Sequence, residues 1–279
     1  MGGLRFGCSG WDYEEWVGPV YARSGTGKLR AYSSLFDTVE INSTFYRNPS
    51  PGMVKGWIKN SPEGFRFAAK IPQAITHDSR LDLAAGTREL LEEYLDLMRP
   101  LLDAGKLGPL LFQLPPSSVY DERTTRALFE ILPPDFEYSI EFRHQSWLRT
   151  EPLDLLREFQ VSYAIVDEPL LPPELHVSAP TAYIRWHGQG TRPWYNYHYS
   201  KEELESWVPR VRTVVGQAKT TYGFFNNHYH GYAPENCLQI LEMLGVALPP
   251  QTRGLERLLR FQERRSGTSP RRKQTLDDF

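Results

Sequence analysis

The sequence predicts an α/β chain folded as a TIM-like (β/α)8 barrel. Three observations lead there: eight short apolar or β-branched runs, helix-like amphipathic stretches between them, and polar residues where the runs end. The runs are Leu4 to Ser9, Thr38 to Asn42, Phe65 to Lys70, Gly108 to Leu114, Tyr138 to Phe142, Val161 to Asp167, Ala182 to His187 and Thr221 to Asn226. Strands that alternate with helices form a parallel sheet, and eight such repeats close it into a barrel. A doubly wound open sheet is the alternative, but no GxGxxG follows the first run.

The second run sets the pattern for the rest. In TVEINSTFYR, Thr38 to Arg47, the β-branched Val39 and Ile41 suit a sheet, while Glu40 and Asn42 alternate with them and Ser43, Thr44, Tyr46 and Arg47 follow. Helical stretches fall at Lys28 to Phe36, Thr87 to Ala104, Glu122 to Leu132, Leu153 to Phe159 and Lys201 to Val215, the last with Ser200 as its N-cap. Within Thr87 to Ala104, the residues Leu90, Leu91, Tyr94, Leu95, Met98 and Leu101 recur at the spacing of a helix laid on a sheet.

Composition narrows the class. A chain of 279 residues with 40% hydrophobic content can bury a large core, and a net charge of -2 confines any nucleic-acid surface to a local patch. Cys8 and Cys237 are the only cysteines, without a CxxC, which argues against a disulfide framework or a cysteine zinc site. The start MGGLRFGCSG lacks a charged segment followed by an apolar run, and nothing approaches the roughly 20 apolar residues of a membrane span. The expectation is a cytoplasmic protein with no membrane partner.

In a (β/α)8 barrel the C-terminal strand ends converge on one mouth. Glu40, Glu141 and Asp167 supply three carboxylates from separate strands, and His187 adds an imidazole, so these four are the catalytic candidates for acid-base work. Lys70, Arg143 and Arg185 offer cationic donors for phosphate or carboxylate. Asn42, His77, Gln113, Asn226 and Asn227 add polar contacts, and Trp11 and Tyr46 add flat faces, completing the substrate-binding candidates. Trp147, Trp186 and Trp194 are further aromatic candidates. A divalent metal is an admissible cofactor; His228 and His230, two residues apart, look metal-like, but the preceding Asn226 and Asn227 are read as orienting hydrogen-bond groups, and no HExxH spacing fixes a cluster.

Seven motifs carry a family resemblance: GCSGWDYEEW at Gly7 to Trp16, TVEINSTFYRNP at Thr38 to Pro49, FRFAAKIPQAITH at Phe65 to His77, LGPLLFQLPPS at Leu107 to Ser117, IEFRHQSW at Ile140 to Trp147, AYIRWHG at Ala182 to Gly188 and FFNNHYHGYAPENC at Phe224 to Cys237. With these the chain resembles the domain of unknown function 72 (YecE-like) family over most of residues 4 to 245. The resemblance implies a TIM-like barrel and no particular reaction.

The division expected is a barrel over residues 1–248 and a different segment over 249–279. Arg253, Arg257, Arg260, Arg264 and Arg265 surround Leu255, Leu258, Leu259 and Phe261 as a basic amphipathic helix, and Ser266 to Pro270 read as a flexible linker. The end resembles the peptide by which archaeal replication and repair proteins bind the sliding clamp (PCNA), with Leu276 and Phe279 as plugs and Gln274 near the glutamine position. The glutamine register is off by one and a second aromatic is absent. Such a tether would raise the local concentration of a weak DNA-binding barrel to about millimolar. Three functions follow: a DNA repair or nucleic-acid-processing enzyme tethered to a clamp, a hydrolase, isomerase or lyase for a phosphorylated or carboxylated sugar-like substrate, or a non-catalytic nucleic-acid or clamp adaptor. A deep closed pocket favours the second.

Overall fold

The strands run Gly3–Cys8 (β1), Thr38–Ile41 (β2), Arg66–Lys70 (β3), Leu107–Gln113 (β4), Tyr138–Glu141 (β5), Ser162–Asp167 (β6), Thr181–Trp186 (β7) and Thr220–Phe225 (β8). This computed structural model describes residues 3–265 except Thr26 and Arg192. All seven ladders are parallel, in the order β1-β8-β7-β6-β5-β4-β3-β2. The eight strands, with helices between them, make the expected TIM-like (β/α)8 barrel, nearly closed.

The remaining gap lies between β1 and β2, where Ser9 and Glu40 form a lone bridge. Below it the Tyr32 phenol is inserted between the two strands. It accepts from the Cys8 amide at 2.7 Å and donates to the Thr38 carbonyl at 2.9 Å. Gly7 makes room, since a Cβ there would stand 2.6 Å from the phenol oxygen and 2.2 Å from the Thr38 carbonyl oxygen.

The helices are Lys28–Tyr32 (α1), Ser43–Tyr46 (α2), Pro51–Asn60 (α3), Thr87–Asp103 (α4), Glu122–Glu130 (α5), Thr150–Glu158 (α6), Lys201–Gln217 (α7), Tyr232–Leu244 (α8) and Pro249–Arg265 (α9). Of the residues expected on one face of α4, Leu91, Tyr94, Leu95, Met98 and Leu101 are buried, while Leu90 is exposed. Ser200 caps α7 through a reciprocal box with Glu203. α2, α3 and α8 were not among the expected helices. The buried face of α8 carries Glu235 and Asn236, polar residues that hide its apolar periodicity.

α9 is the basic helix read from the sequence. It lies against α8 and the β1–α1 loop: Leu255 and Leu258 are buried, and Arg257 donates from Nε to the Pro19 carbonyl at 3.0 Å. The linker Ser266 to Pro270 and the clamp-peptide residues Gln274, Leu276 and Phe279 lie outside the described residues. Among the described residues, no helix is long and apolar enough to cross a membrane.

Candidate active site at the barrel mouth

Every second residue of each strand points to the barrel axis, so inward positions can be followed upward strand by strand. Ala68, Leu111, Ala164, Val166, Tyr183, Tyr222 and Phe224 form an apolar plug inside the barrel. The next inward layer is charged. Two residues above Tyr183 stands Arg185, 1% exposed, with one guanidinium nitrogen 2.6 Å from Glu40 and another in contact with Glu141. Glu40 also accepts from Ser9 and from the Tyr183 hydroxyl, each at 2.7 Å. Glu141 receives Arg143 as well, at 2.9 Å. Burial alone would push both carboxyls up, but Arg185 holds each below the ordinary carboxylate range. Two carboxylates and two guanidiniums thus balance at the centre of the mouth.

Three further groups stand beside this balanced set. Lys70 ends β3 inside the barrel and donates from Nζ to Gln113 Oε1 at 2.7 Å, with the Phe45 ring 4.1 Å away. Burial and then the positive charge of Arg185 lower its ammonium to about 7, although the ring face works the other way. Glu168 is buried, and neither carboxyl oxygen has a hydrogen-bond partner among the described residues; Arg143 Nε is 3.8 Å away. Burial and then the charge of Glu141 push this carboxyl up to about 7. His187 is lowered to about 4 by burial and by Arg185, so its imidazole is neutral at pH 7. Its Nδ1 lies 2.9 Å from the Asn226 amide nitrogen, and its Nε2 lies 3.1 Å from Arg185 Nη1, a group that can only donate, and 3.5 Å from Glu141 Oε2.

Glu141, Glu168 and His187 each place one donor atom within 4.8 Å of the others, which gives them the spacing to share a metal ion. Arg143 and Arg185 already occupy the Glu141 carboxylate, so a dication would enter a field that two guanidiniums have made unfavourable.

Above the charged layer opens a cavity of about 470 Å³. Of the expected site residues, Asn42, Tyr46, Lys70, His77, Gln113, Arg143, Arg185, His187 and Asn226 line it, and Glu40 and Glu141 lie beneath, bonded to Arg185. The structure places three others elsewhere. Asp167 points outward into the helical layer, accepting from Gln189 at 2.6 Å and from the Trp207 indole at 3.1 Å. Asn227 also points outward and donates to the Tyr197 carbonyl and to Asn236. Trp11 packs edge-on against Trp57 and Phe67 outside the barrel wall. Trp147 and Trp186 are buried in the core, whereas Trp194 does line the cavity.

Sequence reasoning missed Glu168, Tyr13, Phe45, Tyr195 and His228. The last four belong to loops and the short α2, where no periodicity marks a facing direction. His228 is stacked between Tyr13, with ring centres 4.4 Å apart, and Tyr195 at 5.4 Å, forming one aromatic wall of the cavity. Gly188 lets the loop after β7 turn back to deliver Trp194 and Tyr195: its φ is +98°, and a Cβ would stand 2.6 Å from Tyr197.

Known proteins share this architecture. A crystal structure of a DUF72 family protein from Thermotoga maritima superposes with a TM-score of 0.77 at 32% identity, covering 87% of this chain and 99% of that one. The UPF0759 protein YunF of Bacillus subtilis is 27% identical over 274 residues, 87% of this chain and 95% of YunF. YecE of Escherichia coli is 34% identical over 133 residues, slightly under half of either chain. The family model described as "Protein of unknown function DUF72" matches residues 5–257, from the first strand to the middle of α9, and this chain belongs to that family.

Proposed function

We propose that the protein is an enzyme that acts by proton transfer on a small anionic substrate, phosphorylated or carboxylated and sugar-like, of the kind an isomerase, lyase or hydrolase takes. The observation that carries this reading is the 470 Å³ cavity at the strand ends, into which Lys70, Arg143 and Arg185 converge. That volume suits a small molecule, and Arg143, whose side chain is 19% exposed and whose Nε and Nη2 both meet one Glu141 oxygen, keeps further guanidinium hydrogens to donate to an anion. Lys70, which lines the cavity, is lowered to about 7, where proton exchange with a bound substrate is most effective; Glu168, raised to about 7, lies buried beside Arg143. Phosphorylated and carboxylated sugars, screened by proton NMR in deuterated buffer, test the reading. Exchange or turnover at one carbon is expected, lost in Lys70→Met and weakened in Arg143→Gln; a panel in which nothing binds would remove it.

A second reading, nucleic-acid processing, draws on a groove along α9 lined by Arg253, Arg257, Arg260 and Arg264. Affinity for single-stranded DNA that falls steeply with salt would support it. The clamp tether is tested separately, by comparing capture of the whole chain by a sliding clamp with capture of a chain lacking Lys273 to Phe279. Equal capture of the two would remove it.

A further inference from the structure

The cavity's cations differ in how they are held. Arg185 spans two carboxylates and Arg143 meets Glu141, but Lys70 has no carboxylate partner among the described residues; its one hydrogen bond goes to the neutral amide oxygen of Gln113. It is buried at 8% exposure, yet its side chain lines the cavity floor. A lysine kept only to bind an anion is best left fully charged beside solvent, and a structural one is best paired. A buried amine without a carboxylate partner, facing a pocket in which Arg143 can hold an anionic group, has the arrangement of a nucleophile.

Building on the small-anion reading above, we propose that Lys70 forms a Schiff base with an aldehyde or ketone carbonyl of a substrate whose phosphate or carboxylate is held by Arg143. The Nζ lone pair attacks the carbonyl carbon, forming the C–N bond as the C=O π pair moves to oxygen. Proton transfers give a neutral carbinolamine. Its hydroxyl then departs as water, carrying away the original carbonyl oxygen with two hydrogens, and the C=N bond forms. Protonated, this imine withdraws electrons from the adjacent carbon and eases breaking of a C–H or C–C bond there, with no oxidant or reductant consumed. The lowered ammonium of Lys70 is consistent with a free amine at neutral pH.

Pyridoxal 5′-phosphate, an aldehyde with a phosphate, is a suitable probe. The full chain is treated with it at about neutral pH, reduced with borohydride and mapped by peptide mass spectrometry. At pH 7 the free-amine fraction favours Lys70 over the exposed Lys55, Lys59 and Lys201 by on the order of a thousandfold, and after the lower nucleophilicity of a less basic amine is allowed for, labelling on the order of a hundredfold faster is expected. Inorganic phosphate should slow labelling of Lys70 and leave the exposed lysines unaffected. Lys70→Arg, checked for folding by circular dichroism, should lose the fast phase. Labelling of Lys70 no faster than the surface lysines overturns the proposal. If phosphate nevertheless binds, seen as shifted amide resonances around Arg143, the small-anion reading stands while the Schiff base falls. If neither occurs, both fall.

Discussion

Arg185 Nη2 and Glu40 Oε1 stand 2.6 Å apart inside the barrel, both withdrawn from water, and the same guanidinium meets Glu141 on its other side. Removing the arginine leaves two buried carboxylates with only Arg143 to answer them. Arg185→Met should therefore cost roughly 3 to 5 kcal/mol in urea unfolding, the usual penalty for stranding a buried charge. A loss below about 1 kcal/mol would mean that water reaches these carboxylates. Adding Glu40→Gln to the arginine variant should restore part of the loss, because one stranded charge is then gone.

Stability should depend on pH through Glu168 and Lys70. Glu168 is raised from 4.5 to about 7, so the folded chain binds its proton more tightly than the unfolded one. Stability from this group is full below pH 4.5 and is lost as pH rises towards 7. Lys70 is lowered from 10.5 to about 7, so its cost is full below 7 and is relieved as pH rises towards 10.5. Together they place a minimum near neutrality. Glu168→Gln should raise the unfolding free energy by roughly 1 to 3 kcal/mol at about pH 8 and leave it nearly unchanged at about pH 4.5. Denaturant titrations at the two pH values check this, and an equal effect at both would contradict it.

Asp167 and Arg143 make a discriminating pair. Asp167 faces Gln189 and Trp207 in the helical layer, so Asp167→Asn should leave the affinity for inorganic phosphate within about twofold while costing about 1 kcal/mol of stability. Arg143→Gln should weaken phosphate binding about tenfold or more, the worth of a charge-assisted contact. Calorimetric titration of both variants separates the roles. A large affinity loss in Asp167→Asn would relocate the anion site.

The eight strands were legible because apolar runs and turn residues mark them, and each boundary lies within one residue of the expected one. Facing direction was harder to read. A parallel strand in a barrel is buried on both sides, so polarity does not alternate along it. In SYAIVDE, Ser162 to Glu168, all seven residues are buried, and nothing in their types says that Val166 and Glu168 face the axis while Asp167 faces the helices. Counting by twos from Tyr183 through Arg185 to His187 works because Arg185 and His187 announce the inward phase. The same count separates Asn226, which lines the cavity, from Asn227, which ties the loop to α8. Tyr13, Tyr195 and His228 came from loops, whose direction depends on turns such as Gly188.

The Tyr32 phenol gives the circular wall a clasp. Seven seams of the barrel are sewn by main-chain ladders, whereas the eighth is held by one bridge and by side chains: the Tyr32 phenol within it, the Ser9–Glu40 bond at the mouth and the Arg5–Asp37 ion pair at the other end. Tyr32→Phe would leave the Cys8 amide and the Thr38 carbonyl without partners, at a cost of about 1 to 3 kcal/mol. Hydrogen exchange should then quicken first at Cys8, and far less at β4 or β6; uniform quickening would speak against a local clasp. A ring with one seam fastened by side chains can unwrap into a ribbon from a known place. Because Ser9 and Glu40 stand directly above it, loosening the clasp would slacken the charged layer before any other part of the wall.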